Sequence, residues 1–219
     1  KKNGKPINRA IVWQDRRTSS FCNNLKKKGL EKKIQKITGL VIDPYFSATK
    51  IKWILDTIPG AYEKSKQGKL AFGTVDSWLI WNMTGGKKHV TDITNASRTM
   101  LLDLHTQKWS QEILDILDIP KELLPQICDS DADFGSCEID VLDNLEVPIT
   151  GVAGDQHASL FGQACFNIGE AKRTHIPVPP IELQNQFADI VQQINDLDLS
   201  ALETQATTLK QSLTQELLA

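Results

Sequence analysis

The chain has 219 residues, is 40% hydrophobic and 24% charged, and carries a formal net charge of −2. These are the proportions of one or two ordinary globular domains, and the balanced charge excludes both a strongly basic nucleic-acid surface and an acidic, solvating chain. No apolar run reaches the ~18 residues of a membrane span. The basic, polar stretch from Lys1 to Arg9 is followed by no apolar core of a signal peptide.

The opening Lys1-Lys2-Asn3-Gly4-Lys5 reads as a polar turn between two strands, which places this stretch inside a larger protein. Ala10 to Trp13 is short, apolar and β-branched, and predicts a buried strand. A helix from Thr18 to Lys28 follows, stopped by Gly29, and a second from Glu31 to Thr38, closed by Gly39. After the break at Asp43-Pro44, Ile51, Ile54 and Leu55 fall at helical spacing in a helix from Ser47 to Leu55. Val75 to Met83 predicts a helix buried on most sides, ended by Thr84-Gly85-Gly86. Trp109 to Leu117 is amphipathic, with Ile113, Leu114 and Leu117 on the apolar face, and Pro120 opens a short helical turn that ends near Pro125. Phe134 to Ile139 and Val147 to Ala153 predict strands, and Asp155 to Ala164 a helix. Alternating strands and helices make the class α/β.

Beyond Lys172 the character changes. Ile176-Pro177-Val178-Pro179-Pro180 is stiff and extended, and from Glu182 onward there is neither Gly nor Pro. Two apolar stripes, one through Phe187, Ile190 and Ile194 and one through Leu202, Leu209 and Leu213, predict one or two long helices whose seam needs a partner. The expected organisation is therefore a domain over 1–172, a proline-rich junction over 173–181 and a helical tail over 182–219.

The strongest chemical signal is Gly151-Val152-Ala153-Gly154-Asp155-Gln156-His157. An apolar strand ending in Gly, followed by a carboxylate where a helix begins, exposes the Asp at the end of a strand where α/β sheets place ligands. The helix N-terminus favours its ionised form. There it can take a proton from an attacking hydroxyl, or simply cap the helix; both readings stand. Trp13-Gln14-Asp15-Arg16-Arg17-Thr18 reads either as a strand end with a solvated charged turn or as an aromatic wall for a small polyol with polar groups behind it. Tyr45, after Asp43-Pro44, suits a core or turn position as well as a ligand contact. Thr91 to Arg98 is rich in turn and cap residues and reads as structural. Cys22, Cys128, Cys137 and Cys165 form no CxxC, and with His89, His105 and His157 they give no metal-ligand spacing, so reduced thiols in a cytoplasmic protein are expected. No glycine-rich phosphate loop is present; Gly85-Gly86-Lys87-Lys88 reads as a hairpin-like turn.

Taken in order, these segments resemble the glycerol kinases of the FGGY carbohydrate kinase family. Ala10 to Thr18 is similar to the stretch carrying a pocket tryptophan, Gly39 to Ser47 to that carrying a pocket tyrosine, and Tyr45 to Thr57, with Lys50 and Trp53, to a family signature. Phe72 to Asn82, Thr91 to Thr99 and Gly151 to Gln163 match as well. The resemblance covers residues 1–172. It implies an incomplete actin-like, ribonuclease-H-like kinase domain and ATP-dependent phosphorylation of glycerol, with ATP and Mg2+ required by the intact family. Carried over by position, it implies Asp155 as general base, Gln156 and Tyr45 on glycerol hydroxyls, and Trp13 lining the pocket. The family's phosphate-binding Asp-Gln-Gly-Thr-Thr segment, its Arg-Glu glycerol pair and its nucleotide-covering second domain have no counterpart here, so the chain by itself is expected to be inactive. Leu142 to Glu146 departs from the family's fructose 1,6-bisphosphate loop, so that regulation is not expected. The tail from about 175 to 219 resembles the spacer-helix region of type I restriction–modification specificity subunits. That likeness implies helix pairing or self-association through 182–219 and not direct DNA binding, and it supplies the alternative reading of the chain as an interaction module.

Overall fold

The computed structural model describes residues 4–137 and 147–164, all of them within a unit spanning Lys1–Phe166. The expected strand beyond Cys137, the loop at 142–146, Cys165, the proline-rich junction and the helical tail lie outside the described residues.

Helix α1 (Ser19–Lys27) turns at Gly29 into α2 (Glu31–Thr38), which ends on Gly39 at φ 73°. That is the left-handed conformation glycine adopts without steric penalty. Helices α3 (Ser47–Thr57) and α4 (Ala61–Lys66) follow, then α5 (Val75–Met83). Next come the strand β1 (Val90–Asp92), the short helix α6 (Ile93–Ala96), and the hairpin strands β2 (Leu102–Asp103) and β3 (Lys108–Trp109). Helix α7 (Gln111–Leu117), a 3₁₀ turn (Lys121–Leu123) and β4 (Gln126–Cys128) complete the central stretch. Strands β5 (Ser136–Cys137) and β6 (Val147–Pro148) precede α8 (Asp155–Gly162).

β1 and β4 run parallel, with Val90, Thr91 and Asp92 beside Gln126, Ile127 and Cys128. Parallel pairing requires a crossover, and the segment between the two strands supplies it, carrying α6, the β2–β3 hairpin and α7. The main core gathers α1 to α4, Met100 and Leu101, α7 and the 3₁₀ turn around fully buried Ile34, Ile42, Ala48, Ile113 and Leu117. A smaller cluster joins Ile80, Val90 and Phe134. Among the described residues no helix is long and apolar enough to cross a membrane, and Cys22, Cys128 and Cys137 are free thiols.

Several expectations need correction. Ala10 to Trp13 is not a strand: no described strand lies beside it to share a ladder, and the Val12 carbonyl instead accepts from the Lys50 ammonium at 2.7 Å. Helix α7 begins two residues late, because Trp109 pairs with Leu102 and the Ser110 hydroxyl caps the helix by accepting from the Ile113 N–H. Helix α5 is not buried on most sides; Ser77 and Ile80 are inside, while Val75, Trp78 and Leu79 are exposed. The strand expected from Val147 to Ala153 pairs regularly only at Val147–Pro148, although Ile149 still exchanges backbone hydrogen bonds with Phe134 and Gly135.

Candidate active site

The loop before α1 and the loop before α3 build an aromatic corner. Trp13 is 60% exposed, and its ring centroid lies 5.7 Å from that of half-buried Tyr45 at an interplanar angle of 53°. Tyr45 packs edge-on against Phe46 at 5.0 Å, which anchors its ring to the core. Such a corner can take the carbon face of a small polyol while its polar edges remain wet.

Ionic side chains from both loops and from α3 surround the corner. Asp43 Oδ1 accepts from the Tyr45 backbone N–H at 2.8 Å and from Arg16 Nη1 at 2.8 Å, which ties the two loops together. Lys50, only 6% exposed, donates Nζ to the Val12 carbonyl at 2.7 Å and to the Tyr45 carbonyl at 3.1 Å. One ammonium therefore fixes the backbone on both sides of the aromatic pair; burial holds its pKa below the usual lysine value. Arg17 forks onto Asp15 through Nε and Nη2, at 2.9 and 2.7 Å, and lies 4.5 Å over the ring of Trp53. That fork brings the Asp15 carboxyl down to about 2. Asp43 also ionises more readily than usual: its burial opposes ionisation, but the Tyr45 N–H and Arg16 outweigh it.

Asp155 and Gln156 belong to another element, the first turn of α8. Gly154, not Asp155, occupies the capping position, at φ −64° and ψ 147°. Asp155 is the first helical residue, is exposed, and accepts from the Gln156 N–H at 2.8 Å. The turn leading to it is tied back at two points: the Val152 N–H donates to the Ser130 carbonyl at 2.9 Å, and the Gly154 N–H donates to Thr94 Oγ1 at 2.8 Å. The structure thus brings Trp13 and Tyr45 into contact and presents Asp155 and Gln156 together on a separate helix. Three contributors had no place in the site assigned from sequence. Lys50 was read only as part of the family signature, and nothing local sets it apart from Lys52 in the same helix. Asp92 and Thr94 do carry the Asp/Thr signature of a helix cap, which explains their local bonding and not their reach to Gly154.

The amino-acid sequence matches the N-terminal domain of the FGGY family of carbohydrate kinases over residues 1–162. The chain belongs to the FGGY carbohydrate kinase family. Among curated relatives, glycerol kinases of Burkholderia cenocepacia and Burkholderia multivorans are 57% identical over 172 residues, covering 78% of this chain and 34% of theirs. The glycerol kinase of Natranaerobius thermophilus is 57% identical over 175 residues, 80% of this chain and 35% of its own. This FGGY chain therefore spans about a third of the length of the curated relatives it matches. Among solved structures, Plasmodium falciparum glycerol kinase with ADP superposes with a TM-score of 0.72 at 39% identity, over 75% of this chain and 33% of that one. A ligand-bound xylulose kinase from Lactobacillus acidophilus gives 0.64 at 27% identity, over 73% and 32%. The described residues are thus part of the actin-like sugar kinase fold, and the chain is a glycerol kinase-like segment of it.

Proposed function

We propose that this chain carries the polyol-binding face of a kinase that phosphorylates glycerol with ATP. The observation that carries the reading is the exposed Trp13 ring set against Tyr45, in a chain whose curated relatives at 57% identity are glycerol kinases. In this reading Trp13 covers the carbon face of glycerol, and Tyr45 and Gln156 bind its hydroxyls. Asp155 takes the proton of the terminal hydroxyl, so that the oxygen is an alkoxide-like nucleophile as it attacks phosphorus. The exposed position of Asp155 on the first turn of α8, beside Gln156, supports this role. ATP and Mg2+ are the requirements of the family. Among the described residues no three His, Cys, Asp or Glu side chains gather as metal ligands, and no step is assigned to a metal or nucleotide held by this chain. The kinase-like part is assigned to residues 1–172, followed by a proline-rich junction over 173–181 and a tail over 182–219.

The test is glycerol titration of the purified chain, read by tryptophan fluorescence and calorimetry. Loss of the stacked ring in Trp13→Ala is expected to weaken binding about fivefold to tenfold, by the worth of an aromatic contact. Identical responses in the wild-type chain and Trp13→Ala would sink the reading. Because the chain spans about a third of its relatives, no glycerol phosphate is expected when ATP and Mg2+ are added. Turnover that vanishes in Asp155→Ala would show instead that these residues suffice for nucleotide binding.

A further inference from the structure

Asp92 is fully buried, and a buried carboxylate is costly unless every lone pair finds a donor. It finds five. Oδ1 accepts from the Asn95 N–H at 3.0 Å and from Asn95 Nδ2 at 2.7 Å. Oδ2 accepts from the Thr94 N–H at 3.1 Å, from Thr94 Oγ1 at 2.5 Å and from Ser130 Oγ at 2.7 Å. Capping a four-residue helix such as α6 needs only the two backbone bonds. The other three go to side chains, and two of those belong to the residues that hold the turn before Asp155.

An ionised carboxylate only accepts, so the one hydroxyl proton of Thr94 must point at Asp92. The remaining lone pairs of Thr94 Oγ1 are then turned outward, and one of them receives the Gly154 N–H at 2.8 Å. Ser130 repeats the device by another route: its hydroxyl is spent on Asp92, which fixes the residue, and its carbonyl receives the Val152 N–H at 2.9 Å. From Asp92, one thread runs through Thr94 to the residue before Asp155 and another through Ser130 to the residue three before it. Helix α8 itself buries no side chain, so apolar packing does not set its first turn.

We propose that Asp92 is a positioning residue for Asp155, acting through Thr94 and Ser130 to fix the backbone that presents the carboxylate. The functional half of this inference rests on the reading of Asp155 as the proton acceptor. The mechanical half does not: without the Asp92 carboxylate the Thr94 proton is free to turn toward Gly154, and the bond to its N–H is lost.

The experiment compares Thr94→Val, which removes the hydroxyl at constant shape, with Thr94→Ser, which keeps it. Amide hydrogen exchange in the full 219-residue chain is read at Gly154, with Leu114 in the main core as an internal control. Thr94→Val is expected to speed exchange at Gly154 about tenfold, the worth of one buried hydrogen bond, with Leu114 unchanged. Thr94→Ser is expected to restore protection to near the wild-type level. Glycerol affinity should follow the same order. Unchanged exchange at Gly154 in Thr94→Val, or equal loss in both variants, overturns the proposal. If Thr94→Val lowers protection at Leu114 as well, Ser130→Ala decides: it removes one of the five bonds, and an unaltered Val152 amide overturns the proposal while selective deprotection there supports it. A wild-type chain that ignores glycerol, but whose Gly154 amide still depends on Thr94, overturns the role given to Asp155 and supports the tie.

Discussion

The two clusters of the fold place the candidate residues by different physics. Trp13 and Tyr45 are moored to a large apolar core through Phe46, which belongs to it, and through the buried Lys50 at the start of α3. Asp155 stands at the head of a helix that buries nothing, beside a small cluster built on Ile80, Val90 and Phe134. Its location depends on hydrogen bonds to Ser130 and Thr94. The aromatic corner therefore inherits the stability of the core, whereas the carboxylate depends on a few directional bonds whose loss leaves the core intact. Nonpolar burial is strong and tolerant of small displacements; hydrogen bonds are weaker and exacting in geometry.

Emptying the core should have the largest effect. Leu114→Ala, at a position only 1% exposed, is expected to cost about 2–5 kcal/mol in denaturant unfolding. A loss comparable to that of a surface substitution would show that the main cluster is not the stabilising one. Lys50→Met keeps the stem and removes the ammonium from two carbonyls. We expect about 1–3 kcal/mol of destabilisation with a weaker glycerol response; unfolding unchanged together with glycerol binding intact would dissociate Lys50 from the corner. Gly39→Ala forces a side chain into left-handed backbone and sets its Cβ 2.7 Å from Leu104 Cδ1. Its expected cost is about 1–2 kcal/mol, read as a lowered unfolding midpoint.

Acid sharpens the contrast. The Asp15 carboxyl is lowered to about 2 by its hydrogen bonds to Arg17, so its contribution is present above the ordinary value of 3.8 and is lost as pH falls from there toward 2. Asp92 has the same sign: burial opposes its ionisation, but Thr94, Ser130 and Asn95 prevail. Unfolding midpoints measured down that window should fall less steeply in Asp15→Asn than in the wild-type chain. The smallest effects belong to α8. Phe161→Ala, at a side chain 75% exposed, should change stability by no more than about 0.5 kcal/mol. Gly154→Ala should be nearly as mild, since a Cβ there meets nothing nearer than 3.4 Å and the N–H to Thr94 survives. A large loss in either would mean that α8 is packed more tightly than the comparison holds.

Helix positions were legible because their signals are local. Glu31–Thr38 and Val75–Met83 agree with prediction at both ends, and α8 begins at the expected Asp155. Gly39 acts within one turn of its own position, where capping chemistry operates. Family membership was legible too, since Trp13, Tyr45, Lys50, Trp53 and Asp155 occur in a fixed order along the chain. The three-residue strands β1 and β4 were not, because their pattern is too short for any period and their pairing joins Val90 to Gln126 across an intervening crossover. Nor was the unpaired state of Ala10 to Trp13, which reads as a strand by composition but becomes one only if a neighbour supplies the other half of the ladder.

From the sequence came the class, the helices other than α4 and α6, and the candidate residues, because propensity, capping and apolar spacing act over a few residues. Only the tertiary structure decided that Lys50 binds the carbonyls on both sides of the aromatic corner, and that Asp92 reaches the turn before Asp155 through Thr94 and Ser130. Three of those bonds, from Lys50 to Val12, from Ser130 to Asp92 and from Gly154 to Thr94, join residues 38, 38 and 60 positions apart. A hydrogen bond requires its partners within about 3 Å and in line, and no local pattern encodes a meeting that the folded backbone alone brings about.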